Sequence, residues 1–144
     1  YGDGTRLDVL HASGAEAARA ILVCIDDRKA ATHIAERVRA SFPDTLLLVR
    51  AYDRAHARDL VQAGVDVQIR ETFESAMLFG RRALEQLGVN PLAAEAVSDD
   101  IRRRDAERFA LEVASGDERA GVDKLFSNRE GAKVEPVPFV EPER

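Results

Sequence analysis

The chain has 144 residues, 45% hydrophobic and 33% charged, with a formal net charge of −5. That is one domain's length with enough apolar area for a core. The acidic balance excludes a nucleic-acid binder built on a basic face and a basic membrane-surface module. The single cysteine excludes an internal disulfide and a multi-cysteine zinc site, and makes a reducing compartment the default.

Tyr1-Gly2-Asp3 reads as the tail of an earlier strand, and Thr5 to Ala12 as a short helix ended by Ser13-Gly14. Ala20 to Ile25 is the longest apolar run, far short of the roughly 20 residues of a membrane span. It fits a central parallel strand buried on both faces. Asp26 and Asp27 stop it, and either can cap a helix in which Ala30, Ile34, Val38 and Phe42 recur four apart. Pro43 ends that helix. Thr45 to Val49 reads as a second buried strand. Asp53 caps a helix with Ala57, Leu60 and Val61 inward, and Gly64 takes the left-handed position at its end. Val65 to Ile69 alternates as a third strand. The order β-α-β-α-β, with short connections, predicts parallel strands joined by right-handed crossovers.

Beyond Ile69 the pattern is helical only. Glu71 to Leu87 carries Phe73, Ala76, Met77, Ala83, Leu84 and Leu87 at helical spacing, closed by Gly88. Pro91 opens the next helix, and Leu92 to Val113 has a thin apolar stripe suited to a partner or a dimer. From Ser115 the composition turns to Gly, Asp, Glu, Lys and Pro. The predicted fold class is α/β: a partial Rossmann-like, doubly wound parallel sheet followed by C-terminal dimerisation helices. Residues 1–70 are the later half of a nucleotide-binding domain, 71–114 a helical dimerisation and regulatory segment, and 115–144 an extended, flexible tail. No G-x-G-x-x-G phosphate turn occurs. With no methionine before Tyr1, the chain reads as a piece whose first strands lie elsewhere.

In an open α/β sheet, ligands approach the carboxyl ends of the strands. Asp3, Asp26, Asp27 and Arg50 all fall there. The aspartates suit ribose hydroxyls or a partner's cation, and a guanidinium at Arg50 suits phosphate or carboxylate. Each also has a plain structural role open to it. Asp3 or Thr5 can cap the first helix, Asp26 and Asp27 can cap the second, and Arg50 can pair with a nearby acid.

Several stretches together carry a resemblance. Tyr1-Gly-Asp-Gly-Thr-Arg-Leu-Asp-Val-Leu with Ala12-Ser-Gly-Ala resembles the Y-G-D-A-T…L…A-G-A segment of potassium-transport nucleotide-binding domains of the TrkA-N or RCK (KTN) type. Phe42-Pro, Arg50-Ala and Leu60-Val-Gln-Ala-Gly-Val continue it. Arg70-Glu-Thr-Phe-Glu-Ser-Ala and Leu78-Phe-Gly-Arg-Arg-Ala-Leu-Glu-Gln-Leu-Gly are the more specific signal. They are similar to the cytoplasmic regulatory domain of glutathione-gated potassium efflux antiporters, the Kef systems. The likeness runs from Tyr1 to about Arg108.

The resemblance implies a regulatory domain, not an enzyme, on the cytoplasmic face of the bacterial inner membrane. It implies a homodimer attached to a membrane antiporter domain of the same polypeptide, with an ancillary subunit as a further partner and no nucleic acid. An adenine nucleotide, AMP or NAD(H), would occupy the cleft, with Asp3, Gly4 and Thr5 in the turn beside it. Glutathione would hold potassium–proton exchange closed, and its bulky adducts would open it. Glutathione carries two carboxylates and one ammonium, and Arg81 matches the arginine that follows glycine in the Kef-like motif. The glutathione role is carried to Arg81, with Arg82 as a lesser candidate.

The remaining polar residues have simpler expectations. Glu71 and Glu74 complement a helix N-terminus, and Arg102, Arg103 and Arg104 belong to a face laced with Asp99, Asp100, Asp105 and Glu107. Cys24 is expected as an inert core thiol, and His11, His33 and His56 as surface residues without ligand spacing. No nucleophile–base pair or carboxylate couple stands out, so no catalytic or metal-binding residue is assigned. The alternatives are a nucleotide-responsive domain of a potassium channel or uptake system and an NAD-dependent oxidoreductase.

Overall fold

The computed structural model describes residues 3–126, with side chains through 124. Three strands, β1 (Ala20–Val23), β2 (Leu46–Ala51) and β3 (Val67–Arg70), form one parallel sheet in the order β1-β2-β3. Leu22 pairs with Leu48, and Leu48 in turn with Val67. Each parallel step needs a crossover, supplied by α2 (Arg28–Ser41) and α3 (Arg54–Gln62). Both start at the expected caps. The Asp27 side chain accepts from the Ala30 N–H, and that of Asp53 from the His56 N–H, both at 2.9 Å.

Both crossovers pack on one face of the sheet. Val23, Leu47, Val49 and Ala51 are buried there with Ala31, Ile34, Ala35 and Val38 of α2 and Ala57 and Leu60 of α3. The opposite face is bare among the described residues: Leu22 is 66% exposed, Ile69 55%, Leu46 45% and Val67 39%. The expectation of strands buried on both faces is thus met on one face only. β1 is also shorter than its apolar run, because Cys24 and Ile25 continue past the ladder into the loop before α2.

The edge of the sheet away from the strand carboxyl ends is tied by one arginine. Arg39 donates to the carbonyls of Gly64 (2.8 Å) and Pro43 (2.6 Å) and pairs with Asp66 at 2.5 Å. Asp66 also accepts from the Leu47 N–H at 2.7 Å. That bond first, and then Arg39, hold the Asp66 carboxyl below its ordinary value of 3.8. Gly64 has φ +80°, and a Cβ there would stand 3.1 Å from Arg39 Cγ. The backbone therefore favours glycine, and a side chain there would press on the arginine beside it.

Before the sheet, α1 covers Leu7–Ala12, and a single 3-10 turn covers Ala15–Ala17. After it come α4 (Glu71–Gln86), α5 (Pro91–Ser115) and α6 (Val122–Phe126). Asn90 caps α5 through the Leu92 N–H, with Pro91 in the first turn. Gly88 and Gly116 take positive φ where α4 and α5 end. Arg103 pairs with Asp100 and Glu107, and Arg104 with Asp100, along the exposed side of α5. The short α6 lies within the stretch whose composition reads as tail. The rest of that stretch, from residue 127, lies outside the described residues. The chain forms two compact units, one ending at Ala76 and the other beginning at Met77, so the division falls inside α4.

Candidate functional site

The first unit presents a polar rim at the carboxyl ends of its strands. Strand alternation puts Arg50 on the bare face of the sheet, since Val49 and Ala51 point into the core. From there its guanidinium reaches both ways. One nitrogen donates to Asp26 in the loop after β1, and the other donates to Glu71, the first residue of α4, at 2.9 Å. The hydrogen bond to Asp26 raises the Arg50 guanidinium above its ordinary value, against a smaller opposing cost of desolvation. Asp26 itself stands 98% exposed.

A second layer lies beneath. The Tyr52 N–H donates to His56 Nδ1 at 3.2 Å, and the Tyr52 carbonyl accepts from the Thr72 hydroxyl at 2.8 Å. The Arg28 guanidinium lies 4.2 Å from the centre of the Tyr52 ring and pairs with Asp53 at 2.8 Å. His56 is only 3% exposed. Because its Nδ1 accepts, the proton of the neutral ring belongs on Nε2, which is buried without a hydrogen-bond partner. Burial pushes this imidazole below its ordinary value of 6.5, and the nearby charge of Asp59 opposes that only in part. Ile25, Asp26, Arg50, Tyr52, His56 and Glu71 enclose a cavity of about 190 Å³. A more open groove of about 580 Å³ runs between α2 and α3. Its one arginine is Arg39, already engaged by main-chain carbonyls. The smaller cavity is the better site on chemistry, because it holds convergent charges where an α/β sheet receives ligands.

The sequence-predicted residues separate into three groups. Asp26 and Arg50 meet at the rim. Asp27 lies beside them, but one of its oxygens is occupied as the α2 cap. Asp3, Gly4 and Thr5 form a turn of their own, in which one Asp3 oxygen accepts from both the Thr5 hydroxyl (2.7 Å) and the Thr5 N–H (2.9 Å). The hydroxyl contact first holds Asp3 below the usual carboxylate value. Neither Asp3 nor Thr5 caps α1, whose N-cap is Arg6 with no side-chain bond. Arg81 belongs to the second unit, where it faces Glu85 at 3.4 Å and Glu95 at 3.9 Å.

Two expectations are corrected. Cys24 is exposed, because β1 ends before it and the residue falls on the bare face of the sheet. His56 is buried, because capping by Asp53 places it in the first turn of α3, four residues before the fully buried Leu60 and on the same face. Tyr52 and His56 were not among the predicted site residues. The capping aspartate followed three residues later by histidine was the signal available for the second. Among the described residues, no group of His, Cys, Asp or Glu is arranged to hold a metal ion, and no helix is long and apolar enough to cross a membrane.

Comparison with known proteins agrees with this architecture. The TrkA-N domain family matches residues 1–71. The solved Shewanella denitrificans Kef CTD in AMP bound form superposes with a TM-score of 0.75 at 35% identity, covering 80% of this chain and 73% of that one. The chain belongs to the Kef C-terminal domain family. It is 37% identical over 142 residues to a glutathione-regulated potassium-efflux system protein of Haemophilus influenzae, covering 99% of this chain and 22% of that protein. It is 43% identical over 130 residues to KefC, a glutathione-regulated potassium-efflux system protein of Escherichia coli, covering 88% of this chain and 21% of that protein. The chain therefore spans about a fifth of the length of these curated relatives. Membership in the Kef C-terminal domain family agrees with the Rossmann-like reading of the sheet.

Proposed function

We propose that this chain is the ligand-sensing regulatory domain of a potassium/proton antiporter, controlled by glutathione and its adducts with an adenine nucleotide held at the sheet rim. The observation that carries this reading is the charged cavity at the strand ends, in a domain family with an AMP-bound member. In this reading Asp3, Gly4 and Thr5 line the nucleotide, Asp26 and Asp27 meet ribose hydroxyls, and Arg50 meets phosphate. Arg81 takes a carboxylate of glutathione. Its present partners, Glu85 and Glu95, lie 3.4 and 3.9 Å away, leaving its donors open to a better-aligned acceptor.

The domain works as a homodimer on the cytoplasmic face of the membrane, joined to the antiporter domain of its own polypeptide and open to an ancillary subunit. Its segments are the nucleotide-binding part at 1–70, the dimerising helices at 71–114 and the tail at 115–144. It performs no chemistry on its ligands. What it transmits is the difference in a ligand's affinity for two arrangements of the dimer.

The test is calorimetric titration of AMP and of glutathione into the full-length protein and its Arg81→Ala variant. Arg81→Ala is expected to weaken glutathione binding tenfold or more while AMP affinity holds. AMP binding with no response to glutathione would reassign the domain to a potassium channel or uptake system. Turnover of a carbonyl substrate with NAD(H) would make it an oxidoreductase.

A further inference from the structure

We propose that the Asp26–Arg50–Glu71 cluster is an exchangeable latch: an oxyanion of a bound ligand, phosphate or carboxylate, takes Arg50 from Glu71 and so unfastens the first turn of α4 from the rim. This rests on the reading of the rim as a ligand site and adds how occupancy would be passed on.

Three observations carry it. First, the contacts that fasten the start of α4 to the rim include the Arg50–Glu71 pair at 2.9 Å, the Thr72 hydroxyl on the Tyr52 carbonyl at 2.8 Å, and a long Thr72 N–H contact of 3.4 Å to that same carbonyl. Second, both acids holding Arg50 are solvent-accessible side chains, the kind of pairing that contributes little and yields readily. A phosphate or carboxylate offers the planar guanidinium the same two-pronged acceptor geometry with stronger charge assistance. Third, the cavity of about 190 Å³ beside Arg50 opens to solvent and has room for such a head group, with Tyr52 and His56 in its lining.

Glu71 thus stands in for the ligand when the rim is empty. A ligand that claims Arg50 displaces a carboxylate belonging to the helix itself. That helix runs unbroken to Gln86 and carries Arg81.

The test uses three probes, AMP, glutathione and inorganic phosphate, with the full-length protein and its Glu71→Gln and Arg50→Ala variants. Sodium chloride at matched ionic strength controls for screening. Removing the competing carboxylate by Glu71→Gln is expected to tighten, about three- to fivefold, the probe that engages Arg50. Arg50→Ala should weaken that same probe tenfold or more. Amide hydrogen exchange at Thr72 to Glu74 should speed up in the wild type when the probe is added. It should already be fast, and unresponsive, in Glu71→Gln. Which of AMP and glutathione behaves this way identifies the source of the oxyanion. If Glu71→Gln leaves all three affinities unchanged or weakens them, the latch is overturned. If neither AMP nor glutathione binds the wild type, the functional reading falls. The latch is then decided by phosphate alone: faster exchange at Thr72 supports it, and unchanged exchange overturns it.

Discussion

The two ends of the sheet are each organised around one arginine, and the partners differ in kind. Arg39, at one end, grips the main-chain carbonyls of Gly64 and Pro43 and an Asp66 that is itself bonded to the Leu47 N–H. Arg50, at the other, grips two side-chain carboxylates that face solvent. A carbonyl fixed in the backbone cannot move aside, whereas an exposed carboxylate needs only a rotamer change. An arginine held by the chain is a rivet, and an arginine held by mobile acids is available. The same residue type therefore marks the structural end of this domain and its responsive end.

The largest expected effect breaks the rivet. Arg39→Ala removes the hydrogen bonds to Gly64 and Pro43 and the pairing with Asp66 together, and should lower unfolding free energy by about 2–3 kcal/mol in chemical denaturation. Arg50→Ala should leave the denaturation midpoint nearly where it was. Equal losses for the two variants would erase the distinction. A smaller effect is expected at Gly64. Gly64→Ala forces a side chain into φ +80° and against Arg39 Cγ at 3.1 Å. It should cost about 1–2 kcal/mol by the same measurement. Gly88→Ala, with positive φ but nothing within 4 Å, should cost less, since only the backbone term remains.

The smallest effect separates the ends by pH. His56 has a lowered value when folded, so the unfolded chain binds its proton more readily. Its contribution is complete above about 6.5 and is lost as pH falls from there through the folded value. Asp66, also lowered, contributes above its ordinary 3.8 and loses that contribution only as pH falls below it. Denaturation midpoints across pH should therefore show a first decline below 6.5, removed by His56→Asn. A second decline at strongly acid pH should be removed by Asp66→Asn. A flat profile between pH 7 and 5 in the wild type would mean that His56 binds its proton equally well in the folded and unfolded chain.

Much of the fold was legible from short-range signals. Asp27, Asp53, Pro91, Gly64 and Gly88 mark helix ends by chemistry that acts within a turn, and each stands where its chemistry places it. The apolar runs marked β1 and β2 but not their ends. Cys24 and Ile25 are as apolar as the residues before them, and only the ladder with β2 decides where pairing stops. The site was half legible. Asp26 and Arg50 could be nominated by their place after strands, but the choice of Glu71 as their third member depends on where α4 begins in space. Arg39 could not be nominated at all, because its partners Gly64 and Asp66 lie far along the chain. Nothing in the residues near it distinguishes it from its neighbour Arg37.

The strand order has a consequence for how this unit comes into being. Among the described residues, strands that follow one another in sequence are the ones that pair: Ala20 with Leu46, then Leu48 with Val67. Neither of these pairings joins distant strands, so each closes its loop at a modest entropic cost. A chain emerging from the ribosome can add β2 and then β3 to a growing edge, with α2 and α3 docking as each crossover is completed.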